Sequence, residues 1–296
     1  MTQPHSDAPP ARSGDRGVAS PPPLTKRPLS AALGLEILDL DLREPLPGAV
    51  VAQLREAWYE GLILLLRDQT LSEADQVRFA EYFGAPAKTI NVHGTGNHPA
   101  VMLISNIRKD GKPIGALPDG EMQFHTDQCY VERPAAASML YAIEVPRAGG
   151  NTLFANAYLA YATLPADIRR RIDGRKAVNA YDYANAATMR GTRLGEGVPH
   201  YAHPVVRTHP ATGRKALYVN RLMTVSIEGL PPAESEELLN ALFDHQEQRQ
   251  FVYEHVWRVG DILMWDNRCT LHARTDFAPT ERRLLRRIAI LGEKPQ

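Results

Sequence analysis

Cysteine is nearly absent: Cys129 and Cys269 are the only two in 296 residues. That excludes a disulfide-stapled scaffold and fits a reducing compartment. Charge of one sign is not in excess either, since Lys+Arg and Asp+Glu both number 34. Nucleic acid and anionic membranes, which select a basic excess, are therefore not expected partners. No apolar run approaches the ~20 residues that cross a bilayer. The longest tight one, Leu62 to Leu66, has the length of a buried strand. Residues 1–28 lack the apolar segment of a secretory signal and are rich in Pro, Ser, Ala and Gly. They are expected to be a disordered tail, with one domain over residues 29–296 and a cytoplasmic location.

What is present is an ordinary globular balance of 44% apolar and 23% charged residues, enough for a large core. Val50, Val51, Leu54, Ala57 and Trp58 recur at helical spacing. Ser72 with Asp75 makes a capping box before a second helix. Helices are also expected over residues 157–164, 166–172 and 231–245. Strands are expected over 33–37, 62–66, 100–105, 137–144, 205–208, 216–219, 251–257, 262–265 and 284–291, with a further one fed by the turn at Gly149-Gly150-Asn151. The long polar segment 106–121 reads as a mobile lid or a substrate-facing loop, and 181–203, the least periodic part of the chain, as a flexible excursion. Many short strands with helices at the front and in a middle insertion predict a mainly β fold with flanking helices and a jelly-roll core, ahead of a doubly wound sheet.

The chemistry centres on Phe124-His125-Thr126-Asp127. Residues two apart on a strand share a face, so His125 and Asp127 can ligate one ion. Alone, such a pair also reads as a hydrogen-bonded His and Asp. A second imidazole, His272, follows Trp265-Asp266-Asn267-Arg268. Two imidazoles and one carboxylate on one side of an ion leave positions open for other ligands, an arrangement suited to non-haem Fe(II). Four arginines follow. Arg283 and Arg287 share one face of the last strand, Arg282 and Arg286 the other. They read either as a solvated basic edge or as an anion site, where guanidinium grips carboxylate in bidentate fashion.

The order and spacing of His125-x-Asp127, Gly149-Gly150-Asn151-Thr152, Trp265-Asp266-Asn267-Arg268, His272 and Arg283 resemble those of the taurine dioxygenase / 2,4-dichlorophenoxyacetate dioxygenase family, over roughly residues 29–294. That resemblance implies a double-stranded β-helix and an Fe(II)- and 2-oxoglutarate-dependent oxygenase using O₂. It implies that His125, Asp127 and His272 hold the metal. Thr152 and Arg283 would bind the far carboxylate of 2-oxoglutarate, and Arg287 the anionic group of the substrate. Because the Asp127 position is filled, hydroxylation is implied rather than halogenation, with release of succinate and CO₂. A hydroxylated carbon bearing a leaving group would collapse to a carbonyl product. Dimers or tetramers are common in the family.

The substrate pocket departs from the taurine-oxidising pattern. A loop histidine expected there could correspond to His93, within Ala87 to His93. Glu121 replaces an asparagine, and Arg221 an acid. These changes favour another small organic anion: a sulfonate, alkyl sulfate, aryloxyalkanoate or related carboxylate. The competing reading is a Zn(II) hydrolase or lyase on a cupin-like barrel, which has no use for Thr152 and Arg283. His200, His203 and His209 fall across a loop and a strand and are not expected to form a second metal site. Both cysteines are expected to be buried structural residues.

Overall fold

The computed structural model describes residues 22–89, 96–117, 120–182, 188, 190–191 and 194–296. In chain order the front part contains β1 (Lys26–Pro28), β2 (Leu35–Ile37), α1 (Gly48–Gly61), β3 (Ile63–Leu66) and α2 (Glu73–Glu81). The central part contains β4 (Met102–Ser105), β5 (Arg108–Lys109), β6 (Lys112–Pro113), β7 (Met122–His125), β8 (Ala137–Glu144) and β9 (Thr152–Asn156). Next come α3 (Ala157–Ala162), α4 (Ala166–Ile172), β10 (Lys176–Ala180), β11 (His200–Pro204), β12 (Val206–Thr208), β13 (Lys215–Leu217), β14 (Thr224–Ile227) and α5 (Pro232–Gln246). The chain closes with β15 (Val252–His255), β16 (Ile262–Asp266), β17 (Thr270–Arg274) and β18 (Leu284–Ile290).

Two sheets form the core. The larger has the order β1-β2-β3-β16-β8-β18-β4, and the smaller β15-β9-β17-β7. Every pairing in them is antiparallel except β2 with β3. The apolar run at β3 is uninterrupted because both of its faces are covered. Leu64 and Leu66 pack outward against Trp58 of α1 and Phe79 of α2. Ile63 and Leu65 point the other way, into the layer that holds Phe154, Trp265 and Leu285. Each such side chain contributes about 1.5–3 kcal/mol by leaving water. The jelly-roll expectation holds.

Local signals behave as expected at α2, where Ser72 and Asp75 make both bonds of the capping box. Three features differ. Order begins before Leu29, because Lys26–Pro28 pairs with β2. The loop after β4 contains the small β5–β6 hairpin. A sheet of order β11-β10-β14 was not visible in the sequence, because its strands are short and Lys176 to Ala180 shows no clear alternation. This sheet and α3 to α5 enclose a separate apolar cluster, including Leu238, Leu242 and Phe243.

The chain crosses repeatedly between the two sheets, and two of these crossings matter to the site. Residues after β7 lead into β8, and the tight turn at Asn267-Arg268-Cys269 leads from β16 into β17. Both bring chemistry-bearing side chains into the space between the layers.

Candidate metal centre

His125 ends β7 and His272 sits in the middle of β17, directly opposite it across the ladder. The sequence places His272 after a strand, whereas it lies within one; the turn that starts β17 hides its alternation. The two rings stand 4.0 Å apart between centroids. Asp127 follows two residues after His125, and its Oδ2 is 3.9 Å from His272 Nε2. One ligand atom from each of the three side chains lies within 4.8 Å of the others, a spacing that one ion can bridge.

Protonation suits a cation. His125 Nδ1 faces the Gln123 carbonyl at 2.9 Å, so it carries the proton and leaves Nε2 as the lone-pair nitrogen. Burial lowers the basicity of this imidazole. Burial and the facing His125 push His272 down to about 3. Burial alone would raise the Asp127 carboxyl. The Arg287 charge, with His272, His125 and the Ser138 hydroxyl, outweighs it and holds the group well below the ordinary carboxylate range. The site thus offers two neutral imidazoles and one carboxylate, the ligand forms a divalent metal requires.

The other sheet supplies cations. Arg287 on β18 reaches Asp127 Oδ2 at 2.9 Å. Arg283, just before β18, is 2% exposed. Its Nε and Nη1 have no hydrogen-bond partner among the described residues. Burial and the neighbouring Arg274 lower it to about 9, so it remains a cation at neutral pH. A buried guanidinium without a counter-charge is costly by several kcal/mol, and an anionic ligand removes that cost. Thr152 is buried, and its Oγ1 accepts from Trp257 Nε1 at 3.0 Å, which leaves its own O–H as a donor. The Gly149-Gly150 turn brings this region close to the loop before Arg283. A Cβ at Gly149 would sit 2.2 Å from the Asp276 carbonyl, and both glycines have positive φ.

Arg274 was not singled out in the sequence. It lies two residues after His272 on β17, hence on the same face, opposite Thr152 in the ladder. Its guanidinium donates to the Gly120 carbonyl at the end of the 106–121 segment. Once β17 is known to be a strand, the i+2 spacing alone identifies it.

The remaining candidates divide. Glu121 is exposed just before β7. Arg221 corrects the expectation of a substrate ligand: its guanidinium is held by Glu247 at 2.9 Å and Asp244 at 2.7 Å, at the end of α5. Its charge is already balanced there. His93 lies outside the described residues. The other two arginines of the basic run serve the fold, Arg282 on Glu144 and Arg286 on the Leu71 carbonyl. From the 181–203 segment, the Thr188 carbonyl and the Arg190 amide both bond Gln123, next to His125.

A second group, His209, Asp266 and Cys269, has compatible spacing. It is a structural cluster. Arg268 donates to both oxygens of Asp266, and His209 Nε2 lies 3.0 Å from Oδ2. His209 Nδ1 accepts from the amides of Ala211 and Thr212, so neither nitrogen has a lone pair for an ion. Burial raises the Cys269 thiol well above its ordinary value and pushes Cys129 up to about 12, in keeping with structural thiols. His203 and His200 bond backbone carbonyls.

Comparison with known proteins places the chain in a family. Residues 25–289 match the family described as taurine catabolism dioxygenase TauD, TfdA family. The alpha-ketoglutarate-dependent 2,4-dichlorophenoxyacetate dioxygenase of Cupriavidus pinatubonensis is 34% identical over 282 residues, covering 90% of this chain and 97% of the relative. The crystal structure of a taurine dioxygenase from Burkholderia xenovorans superposes with a TM-score of 0.78 at 33% identity, covering 93% of this chain and 91% of the other. AAD-2, solved with Mn(II) and N-oxalylglycine, superposes at 0.77 with 27% identity, covering 92% and 98%. The family model and these relatives give no support to a hydrolase or lyase. Among the described residues, no helix is long and apolar enough to cross a membrane. The chain belongs to the TauD/TfdA family of Fe(II)- and 2-oxoglutarate-dependent dioxygenases.

Proposed function

We propose that this dioxygenase hydroxylates a small organic anion whose acidic group is held at Arg287. The observation that carries this reading is the division of labour among the inward arginines. Arg283 is buried without a partner for Nε and Nη1 among the described residues and suits a resident dicarboxylate. Arg287 is half-buried beside the metal ligands and suits a molecule that comes and goes.

His125, Asp127 and His272 would hold Fe(II), which supplies the redox chemistry that couples decarboxylation of 2-oxoglutarate to hydroxylation by O₂. Arg283 binds the far carboxylate of 2-oxoglutarate by paired N–H donors, and Thr152 adds its O–H. Arg274 sets a second positive charge beside that carboxylate. Phe154 and Trp265 pack against His272, with ring centroids at 6.2 and 4.7 Å, and keep water from one side of the site. Arg287 fixes the end of the substrate, so the carbon to be oxidised is the one that its length brings to the metal side.

An aryloxyalkanoate is the first substrate class to test, ahead of alkyl sulfates and sulfonates. It has the carboxylate that Arg287 can grip, and it forms a labile hemiacetal when hydroxylated beside its ether oxygen. A soluble cytoplasmic enzyme, dimeric or tetrameric, completes the reading. The test is succinate formation from 2-oxoglutarate under O₂ with each class. Stimulation by none of the three would overturn the anionic-substrate reading.

A further inference from the structure

The motif Trp265-Asp266-Asn267-Arg268 contains no metal ligand, yet it lies against the metal centre. Two of its members are accounted for by the buried ion pair of Asp266 with Arg268. The other two form a hydrogen-bond chain that ends on the carboxylate ligand. Trp265 Nε1 donates to Asn267 Oδ1 at 2.8 Å. Asn267 Nδ2 donates to Ser138 Oγ at 3.1 Å. Ser138 Oγ donates to Asp127 Oδ2 at 2.5 Å. Trp265, Asn267 and Ser138 are all buried, so bulk water does not stand in for these bonds.

The chain has a direction, and the chemistry of each group dictates it. An indole nitrogen can only donate, so Trp265 fixes which end of the Asn267 amide is oxygen. The amide nitrogen of Asn267 must then donate to Ser138. Arg287 Nη2, 3.2 Å from the same hydroxyl, also can only donate. Both acceptor positions of Ser138 Oγ are thus filled, and its hydrogen is left for Asp127. The hydroxyl cannot rotate away without losing two donors.

We propose that Ser138 and Asn267 are positioning residues that hold the Asp127 carboxylate in the orientation the metal needs. The proposal rests on the metal-centre reading above. It explains why a strand of the larger sheet matters to a ligand that the smaller sheet supplies. Asp127 lies past the end of β7, where the ladder no longer fixes its side chain. Ser138 on β8 and Asn267 in the β16–β17 turn fix it from across the sandwich. The same indole lies against the His272 ring, with centroids 4.7 Å apart and planes tilted by 52°, so Trp265 supports ligands from two different strands. Groups that orient metal ligands in this way contribute about 10- to 100-fold to metal affinity.

The test is a Co(II) titration of the metal-free full-length protein in the presence of 2-oxoglutarate, read by the Kd and by the visible Co(II) absorption bands. Thermal unfolding of each metal-free variant checks that it folds. Ser138→Ala is expected to raise the Co(II) Kd about 10- to 100-fold and to shift the bands. Ser138→Thr, which keeps the hydroxyl, is expected to restore part of the affinity. Asn267→Asp keeps the acceptor for Trp265 but removes the donor to Ser138, and is expected to weaken binding independently. The double variant Ser138→Ala/Asn267→Asp is expected to be no weaker than Ser138→Ala, because both changes act through one hydroxyl. His125→Ala separates the two levels of the argument. Wild-type Kd and spectrum in Ser138→Ala, with binding lost in His125→Ala, would overturn the relay and leave the metal centre standing. If Ser138→Ala does not fold, an unchanged Kd in Asn267→Asp overturns the relay instead. Unchanged binding in His125→Ala would overturn the metal centre itself.

Discussion

Arg287 and Asp127 form an ion pair at 2.9 Å that bridges the two sheets of the sandwich. One partner is on β18 of the larger sheet, and the other follows β7 of the smaller. A cation beside a metal-binding carboxylate opposes metal binding in itself, so its presence calls for a second role, and an incoming anion supplies one. Arg287→Gln is expected to lower kcat/KM for the anionic substrate about 10- to 100-fold, the size of a charged hydrogen bond. The 2-oxoglutarate KM should stay near the wild-type value. Steady-state kinetics with both substrates varied checks this; a loss confined to 2-oxoglutarate would reassign Arg287.

Arg283→Met keeps an unbranched stem that reaches about as far as Nε and removes the guanidinium and its charge. The expected result is a rise in the 2-oxoglutarate KM of about 100-fold, with a smaller fall in kcat at saturation. Because the wild-type guanidinium is buried without a described partner at Nε and Nη1, the metal-free variant should also be no less stable than wild type in urea. A marked loss of stability would show that Arg283 is held by the fold rather than by its ligand.

Removal of a ligand is the direct test of the triad. His125→Ala and Asp127→Ala are each expected to lose Co(II) or Fe(II) binding and turnover together, measured by equilibrium dialysis and succinate release. Full activity in either variant would refute the assignment.

Asp266 gives a pH prediction away from the metal. Burial would raise its carboxyl, but the hydrogen bond and charge of Arg268, with His209, lower it to about 2. The folded value lies below the unfolded value of about 3.9. The contribution is therefore present above about pH 4 and is lost as pH falls through the folded value. Asp266→Asn leaves the buried Arg268 without its partner and is expected to cost about 3–5 kcal/mol at neutral pH. In urea unfolding, the gap between variant and wild type should narrow between pH 4 and pH 2.

A milder control is Ser72→Ala. It breaks both bonds that Ser72 Oγ makes at the start of α2 and is expected to cost about 1 kcal/mol with activity unchanged.

The candidate metal ligands and most of the scaffold can be read along the chain, whereas Arg274 and the ion pairs of Arg221 cannot. His125, Asp127 and His272 stand out as candidate ligands because metal ligation restricts residue type and spacing, and it is the family resemblance that joins them and points to Arg283. The capping box at Ser72 and the apolar run at β3 are legible because their causes are local. Three features depend on contacts between distant parts of the chain. His272 faces His125 because β17 pairs with β7 across 147 residues of chain, and no local period reports a ladder partner. Arg221 is an arginine next to a plausible pocket in sequence, but α5 brings Asp244 and Glu247 to it. Ser138 is a small polar residue in an apolar strand, without any local signal. It acquires a role only where β8, β18 and the β16–β17 turn converge on Asp127. Residue chemistry limits what a site can do, whereas the orientation of each group depends on hydrogen bonds between strands far apart in the chain.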